Sequence, residues 1–272
     1  MDSIRQVPTL SGGALRLLEV LNATTVHLIR KQTGRSAIGF LSTLGRPLAL
    51  LATFYAIIEF MGVRGVAIRG NTLTFLLTGI LCFLVHGDTV QKVTMAIKRA
   101  KSMLHHAPAS IFVYVMAQAL VALYTNLLAG LLIWLIAEAS GFGLGIRNPA
   151  GLLLPYFLCW ASGLGIGLIL LVLGHITPTV SEMIAVIYTR VQFFTCGKFW
   201  AANIMPAGLV EYAVWNPLLH TIDQMRGAAF INYTPMHSNL TYPLVFTGIV
   251  LFAGFSMEFW VRQRFSLSQT KR

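Results

Sequence analysis

Apolar runs of roughly 18 to 24 residues recur along this chain, and each is long enough to cross the hydrocarbon core of a bilayer. That feature removes most folds from consideration. Inside hydrocarbon every backbone N–H and C=O must be paired within the protein, so unbroken apolar runs of this length have to be helices. Composition agrees: of 272 residues, 56% are hydrophobic and 11% are charged, where a soluble domain carries about 25% charged residues. Too little polar surface exists to cover a soluble helical protein of this size.

The runs predict six spans. Leu48–Met61 is the first, started by Arg46-Pro47, with Glu59 near its outer end. Thr72–Val85 is the second and leaves the membrane at His86, Gly87 and Asp88. Ile111–Ala137, with Trp134 near the outer interface, is the third, and Gly151–Gly174 is the fourth. Ser181–Thr195 is a polar fifth, with Glu182 at its inner end and Arg190 well inside; Tyr242–Val261 is the last. Gly163 and Gly167 stand four apart, the spacing that lets two helices approach closely. No strand precedes these glycines, so they are not a phosphate loop.

Two amphipathic stretches fall outside the spans. Over 14–31, Ala14, Leu17, Leu18, Leu21 and Leu28 recur at helical steps while Arg16, Glu19, Asn22 and Lys31 lie elsewhere, which predicts a helix in the membrane interface. Over 91–106, Val93, Ala96, Ile97, Ala100 and Leu104 form one stripe, with Lys92, Lys98, Arg99 and Lys101 carrying the charge. Pattern alone lets that basic connector dock on a partner protein or lie on the membrane surface.

The net charge of +11 would suggest nucleic acid in a soluble protein; here it reports topology, because Lys and Arg collect on cytoplasmic segments. With both ends inside, the cytoplasmic side holds Arg5, Arg16, Arg30, Lys31, Arg35, Arg46, Lys92, Lys98, Arg99, Lys101, Arg262, Arg264, Lys271 and Arg272. The outer side holds Arg64, Arg69, Arg147, Lys198 and Arg226, with Arg190 in the membrane. That bias requires an even number of spans. Cys82, Cys159 and Cys196 show neither a disulfide framework nor metal-ligand spacing. No cleaved signal peptide is expected. No Walker, H-E-x-x-H or G-x-S-x-G motif occurs, and His105 and His106 are adjacent and diverge on a helix. No enzyme, bound cofactor or metal is expected.

The stretch Phe193–Gly227, FFTCGKFWAANIMPAGLVEYAVWNPLLHTIDQMRG, is neither span nor loop. It breaks at Gly197, Pro206 and Asn216-Pro217, yet is too apolar for water. Irregular backbone at membrane depth survives where protein or a water-lined cavity satisfies it. Phe193, Phe194, Phe199, Trp200, Tyr212 and Trp215 surround the breaks. Trp and Tyr anchor membrane interfaces in any case; the functional alternative is a stacking surface for sugar rings. An intramembrane charge such as Arg190 faces a cavity or a partner.

This pattern resembles the membrane subunit of type-2 ABC exporters and, within them, the capsular-polysaccharide export permeases, with O-antigen exporters as relatives. The resemblance rests on Phe193 and Phe194, Gly197, Phe199 and Trp200, Pro206, Asn216 and Pro217, His220 and Arg226. Cys196 stands where serine is common and Lys198 where an apolar residue is usual. The resemblance implies one all-α integral membrane domain over 1–272, with an N-terminal interfacial helix, a coupling helix over 91–106 (Lys98, Arg99, Lys101) and a re-entrant outer segment over 196–238 before the last span. It implies a homodimer in the bacterial inner membrane with both termini cytoplasmic, paired with two copies of a soluble ABC ATPase that binds ATP and Mg. The cargo would be a lipid-linked acidic polysaccharide, handed on to periplasmic and outer-membrane export proteins, with no nucleic acid involved. Arg190, Phe193, Phe194, Lys198, Phe199, Trp200, Trp215 and Arg226 are the expected substrate path, Lys198 and Arg226 favouring an anionic polymer. O-antigen, teichoic acid or a small hydrophobic cargo are the neighbouring readings. A secondary transporter would predict internal repeats, and Leu48–Val85 shows no correspondence with Ile111–Gly174.

Overall fold

The computed structural model describes residues 10–33, 37–60, 70–104 and 111–269. Met61, Arg64, Arg69, His105 and His106 lie outside the described residues, as do Arg5, Arg35, Lys271 and Arg272, and nothing is described of the Glu59 and Lys101 side chains. Ten α-helices run in order: α1 Leu10–Thr33, α2 Ala37–Phe60, α3 Thr72–Thr94, α4 Ala96–Leu104, α5 Ile111–Ala139, α6 Leu153–Ile176, α7 Pro178–Thr195, α8 Ala207–Ala213, α9 Pro217–Ala229 and α10 Thr241–Gln269. Single turns of tighter helix lie at Ala150–Leu152 and Ala202–Ile204. Among the described residues there is no strand.

The bundle is built around α3. It touches α2, α5, α6, α7 and α9, and Phe75, Leu76, Ile80, Cys82, Leu84 and Val85 on it are all but inaccessible. Asn71 starts it, its side chain accepting from the Leu73 N–H at 2.8 Å and so satisfying one of the free donors of the first turn. The glycines of α6 set the packing distance. A Cβ on Gly163 would lie 2.7 Å from the His86 carbonyl, and one on Gly167 would lie 2.8 Å from Val93 Cβ, both on α3. Gly165 faces the other way, with Val250 and Leu251 of α10 within 2.9 Å. One short glycine run thus seats α6 between two helices, as small residues do in membrane bundles.

Among the described residues, four helical stretches are long and apolar enough to cross a membrane: Thr72–Thr94, Ile111–Ala139, Ala150–Ile176 and Thr241–Val261. The expectation of six is met in part. The described parts of the first and fifth predicted spans are helical, as α2 and α7, but the apolar part of α2 is only Gly45–Ile58, interrupted near its start by Arg46 and Pro47. Helix α7 carries Glu182 and Arg190 within its 18 residues. The second span does not end at His86. Helix α3 continues through Asp88 to Thr94, because His86 is buried, 1% exposed, and its ring is hydrogen-bonded inside the bundle. The basic connector predicted over 91–106 divides at Met95 in its described part, the first turn belonging to α3 and Ala96–Leu104 forming α4. The amphipathic stretch over 14–31 is helical within α1; Leu28 is buried while Leu15, Leu17 and Leu18 stay exposed.

The broken stretch keeps its predicted breaks. Helix α7 stops at Thr195, Gly197 takes φ +74, Pro206 precedes α8, and Asn216 caps α9. Helix α9 packs back against α3, α6 and α10, and its Leu218, Leu219, Ile222 and Met225 are core residues.

Candidate functional site

The breaks after α7 place a buried cation at the centre of the stretch. Gly197 adopts a left-handed turn that a side chain would strain. That turn presses Lys198 against α3 at Gly79, where an added Cβ would meet the Lys198 backbone at 2.9 Å. The Lys198 side chain is 1% exposed. Its Nζ stands 3.2 Å from the ring centroid of Phe193, 3.4 Å from that of Phe83 and 4.7 Å from that of Phe199. Phe54 of α2 closes the box against Phe199, with centroids 4.0 Å apart. Nζ has no hydrogen-bond partner. Three ring faces favour the charged form, a desolvated cation–π contact being worth about 2 kcal/mol.

Arg226 holds this turn in place. Its guanidinium donates to the carbonyls of Gly197 (2.8 Å), Trp200 (2.9 Å) and Lys198 (2.6 Å), and lies 3.7 Å over the Phe75 ring. One fork thus satisfies three carbonyls of an irregular segment, the accounting that backbone away from water demands. One turn earlier on α9, Asp223 accepts hydrogen bonds from Tyr233 and from Ser238 (2.7 Å), tying down the segment that leads to α10.

A polar chain links this stretch to the middle of the bundle. His86 Nδ1 faces the Cys159 carbonyl at 3.0 Å, which only accepts, so Nδ1 carries the proton and Nε2 accepts from the Tyr188 hydroxyl at 2.9 Å. Gln192 donates to the Tyr188 oxygen at 2.9 Å, and Asn216 donates to Gln192 at 2.6 Å while capping Leu218 N at 3.0 Å. Ring and amide groups of α3, α7 and the Asn216-Pro217 break therefore form one connected string.

Below the aromatic box lies a cavity of about 550 Å3 between α2, α3 and α7, lined by Arg46, Gln91, Thr189 and Arg190, with Phe83 and Phe193 on its wall. Arg46 is paired with Asp88 of α3, whose other oxygen accepts from Asn126 at 3.0 Å. Arg190 is exposed. At its other end α7 meets the connector: Glu182 accepts from Lys98 of α4 at 2.9 Å.

The structure thus brings together Phe193, Lys198, Phe199 and Arg226 of the predicted path, and sets Arg190 on the cavity that Phe193 overlooks. It does not bring in the rest. Phe194 (75% exposed), Trp200 (57%) and Trp215 (80%) point outward. Neither Lys198 nor Arg226 shows its charge at a surface, since one is enclosed by rings and the other is committed to carbonyls. Lys98 and Arg99 are exposed on α4. Sequence reasoning missed Phe54, Phe83 and Gly79, which looked like ordinary span residues, and missed Asp223 and the His86–Tyr188 pair. The Asn216-Pro217 cap was the one local signal pointing to the polar string. Among the described residues no group of His, Cys, Asp and Glu gathers that could hold a metal.

No family model matches the chain. Curated proteins do. The polysialic acid transport protein KpsM of Escherichia coli is 25% identical over 237 residues, 87% of this chain and 91% of the relative. The capsule polysaccharide export inner-membrane protein CtrC of Neisseria meningitidis serogroup B is 23% identical over 244 residues, 88% and 89% of the two chains. BexB of Haemophilus influenzae, described in the same words as CtrC, is 22% identical over 251 residues, 87% and 91%. The resemblance read from the Asn216-Pro217 block therefore extends along most of the chain, to inner-membrane proteins of capsule polysaccharide export.

Proposed function

We propose that this chain is the permease subunit of an ATP-driven exporter that carries a lipid-linked, anionic capsular polysaccharide out of the cytoplasm across the inner membrane. Two copies enclose the path, and a separate ATPase supplies the energy, since no phosphate-binding loop occurs in the sequence. The observation that carries this reading is the cavity between α2, α3 and α7. It presents Arg190 and Arg46 on its wall and reaches Phe83 and Phe193 of the aromatic box. Arginines in a low-dielectric cleft favour phosphate and carboxylate groups, and phenylalanine faces suit the C–H side of sugar rings without fixing them. Similarity to capsule export proteins along 87% of the chain supports the same cargo class.

In this reading α2 and α7 cross the membrane as the two polar spans, and 196–238 re-enters from the outer side, its breaks satisfied by Arg226. Helix α4 rests on the ATPase through Lys98, Arg99 and Lys101, and the Lys98–Glu182 contact passes its movement to α7, which carries Arg190 and Phe193. The test is export itself. In the host strain, Arg190→Gln at normal protein level should lower surface polysaccharide about tenfold and leave polymer inside the cell, as loss of one charged hydrogen bond would. Unchanged surface polymer would remove Arg190 from the path. Unchanged surface polymer on deletion of the whole gene would remove the function.

A further inference from the structure

On the opposite side of α3 from the export cavity, α5 and α6 splay apart. Each packs closely on α3, while they barely touch one another. The cleft between them holds a cavity of about 200 Å3. Leu81 of α3 forms its floor, Leu127 and Leu131 of α5 and Leu153 of α6 surround its mouth, and Trp134 and Tyr156 line one end. Leu127, Leu131 and Leu153 are between 43% and 51% exposed, on helices long and apolar enough to cross a membrane. The Tyr156 hydroxyl and the Trp134 indole N–H are buried and have no acceptor in the chain, and Tyr156 itself is 4% exposed.

We propose that this cleft is a phospholipid site: one acyl chain fills the cavity, and the ester carbonyl of that chain accepts from the Tyr156 hydroxyl. Three features select this guest. The walls are apolar, and a dry apolar cavity near 150 Å3 already takes an apolar guest, so a sugar polymer is a poor fit. The mouth opens on surfaces that face hydrocarbon. The polar end lies where esters lie: Trp134 stands five residues before the end of α5 and Tyr156 is the fourth residue of α6. At 1.5 Å per residue both sit within about 8 Å of their helix ends, the belt where Trp and Tyr meet headgroups. An ester oxygen only accepts, and both orphan groups donate. The bound lipid would wedge α5 from α6 and hold the α5–α6 loop over α9, where Arg147 and Asn148 donate to the carbonyls of Ala229 and Ala228.

The probe is a phosphatidylglycerol bearing a diazirine along one acyl chain, in nanodiscs of the full-length protein, with labelled peptides mapped after illumination. Label should concentrate on Leu127–Trp134 and Leu153–Tyr156 relative to Leu244, Ile249 and Phe252, which are exposed on α10 without a cavity. Leu131→Trp, which fills the mouth from an exposed position, should remove the α6 label and spare α10. A diether analogue, which lacks the carbonyl, should label the cleft about fivefold less than the diester, the worth of one hydrogen bond, and Tyr156→Phe should abolish that difference. Equal label on α5, α6 and α10, or equal label from ester and ether lipids, would overturn the proposal. So would a disulfide between copies bearing Leu131→Cys and Leu153→Cys, which would mean that a second copy covers the cleft. None of these readouts depends on export.

Discussion

At the scale of single residues, two neighbouring cations do opposite things. Arg226 donates to three carbonyls of the turn, and Lys198 Nζ donates to none. Removing Arg226 leaves buried acceptors stranded at roughly 1–3 kcal/mol each, so Arg226→Met should cost about 3–5 kcal/mol of stability. Arg226→Lys should recover little, because an ammonium cannot reproduce the fork. Lys198→Met, by contrast, replaces an unpaired buried charge with an apolar side chain of similar reach and should fall within about 1 kcal/mol of the parent. Thermal unfolding of the purified variants in one detergent separates them; equal losses at both positions would sink the distinction. Both cations were legible in the sequence, but their destinations were not. Lys198 looked like outer-surface charge because its cage is made of Phe83 and Phe193 from two other helices, and Gly79, which admits the turn, carries no sign of what it contacts.

Among elements, the informative pair is α4 and α7. Their contact is an exposed ion pair, Lys98 to Glu182, and such pairs contribute only about 0.2–1 kcal/mol to folding. Disrupting it should therefore leave the protein intact and act on export. Lys98→Glu should lower surface polysaccharide with unchanged protein level and unchanged melting temperature, and adding Glu182→Lys should restore it. A double variant as defective as the single one would mean that Lys98 acts only on the ATPase, not through α7. Helix breaks were the most legible features of all: Gly197, Pro206 and Asn216-Pro217 fall where local backbone chemistry puts them. Helix ends set by tertiary contact were not. The polar run His86-Gly87-Asp88 reads as an exit, yet α3 continues because Tyr188, Cys159 and Ser162 satisfy His86, and Arg46 and Asn126 satisfy Asp88. Those partners come from four other helices, so no window of sequence contains them.

For the whole molecule, the question is whether α2 and α7 cross, since neither is long and apolar enough by itself. The contacts of α7 and of the segment after it bear on the answer. The first turns of α7 meet α4 through Glu182 and Lys98. Beyond its last turn, α9 is joined through backbone hydrogen bonds to the α5–α6 loop at Arg147 and Asn148. Helix α4 and that loop lie at opposite ends of α5, an apolar helix of 29 residues, so the chain from α7 to α9 reaches both ends of the bundle. Helix α2 meets α3 through Arg46 and the aromatic box through Phe54. Two further crossings would make six, the even number that the Lys and Arg distribution favours. Membrane-impermeant maleimide tests it in whole cells, with low background because Cys82, Cys159 and Cys196 are buried. Phe142→Cys, exposed in the α5–α6 loop, should label in intact cells. Lys98→Cys and a cysteine appended after Arg272 should label only once the membrane is opened. An appended cysteine that labels in intact cells would put the C-terminus outside, leave α7 on one side of the membrane, and end the six-crossing arrangement.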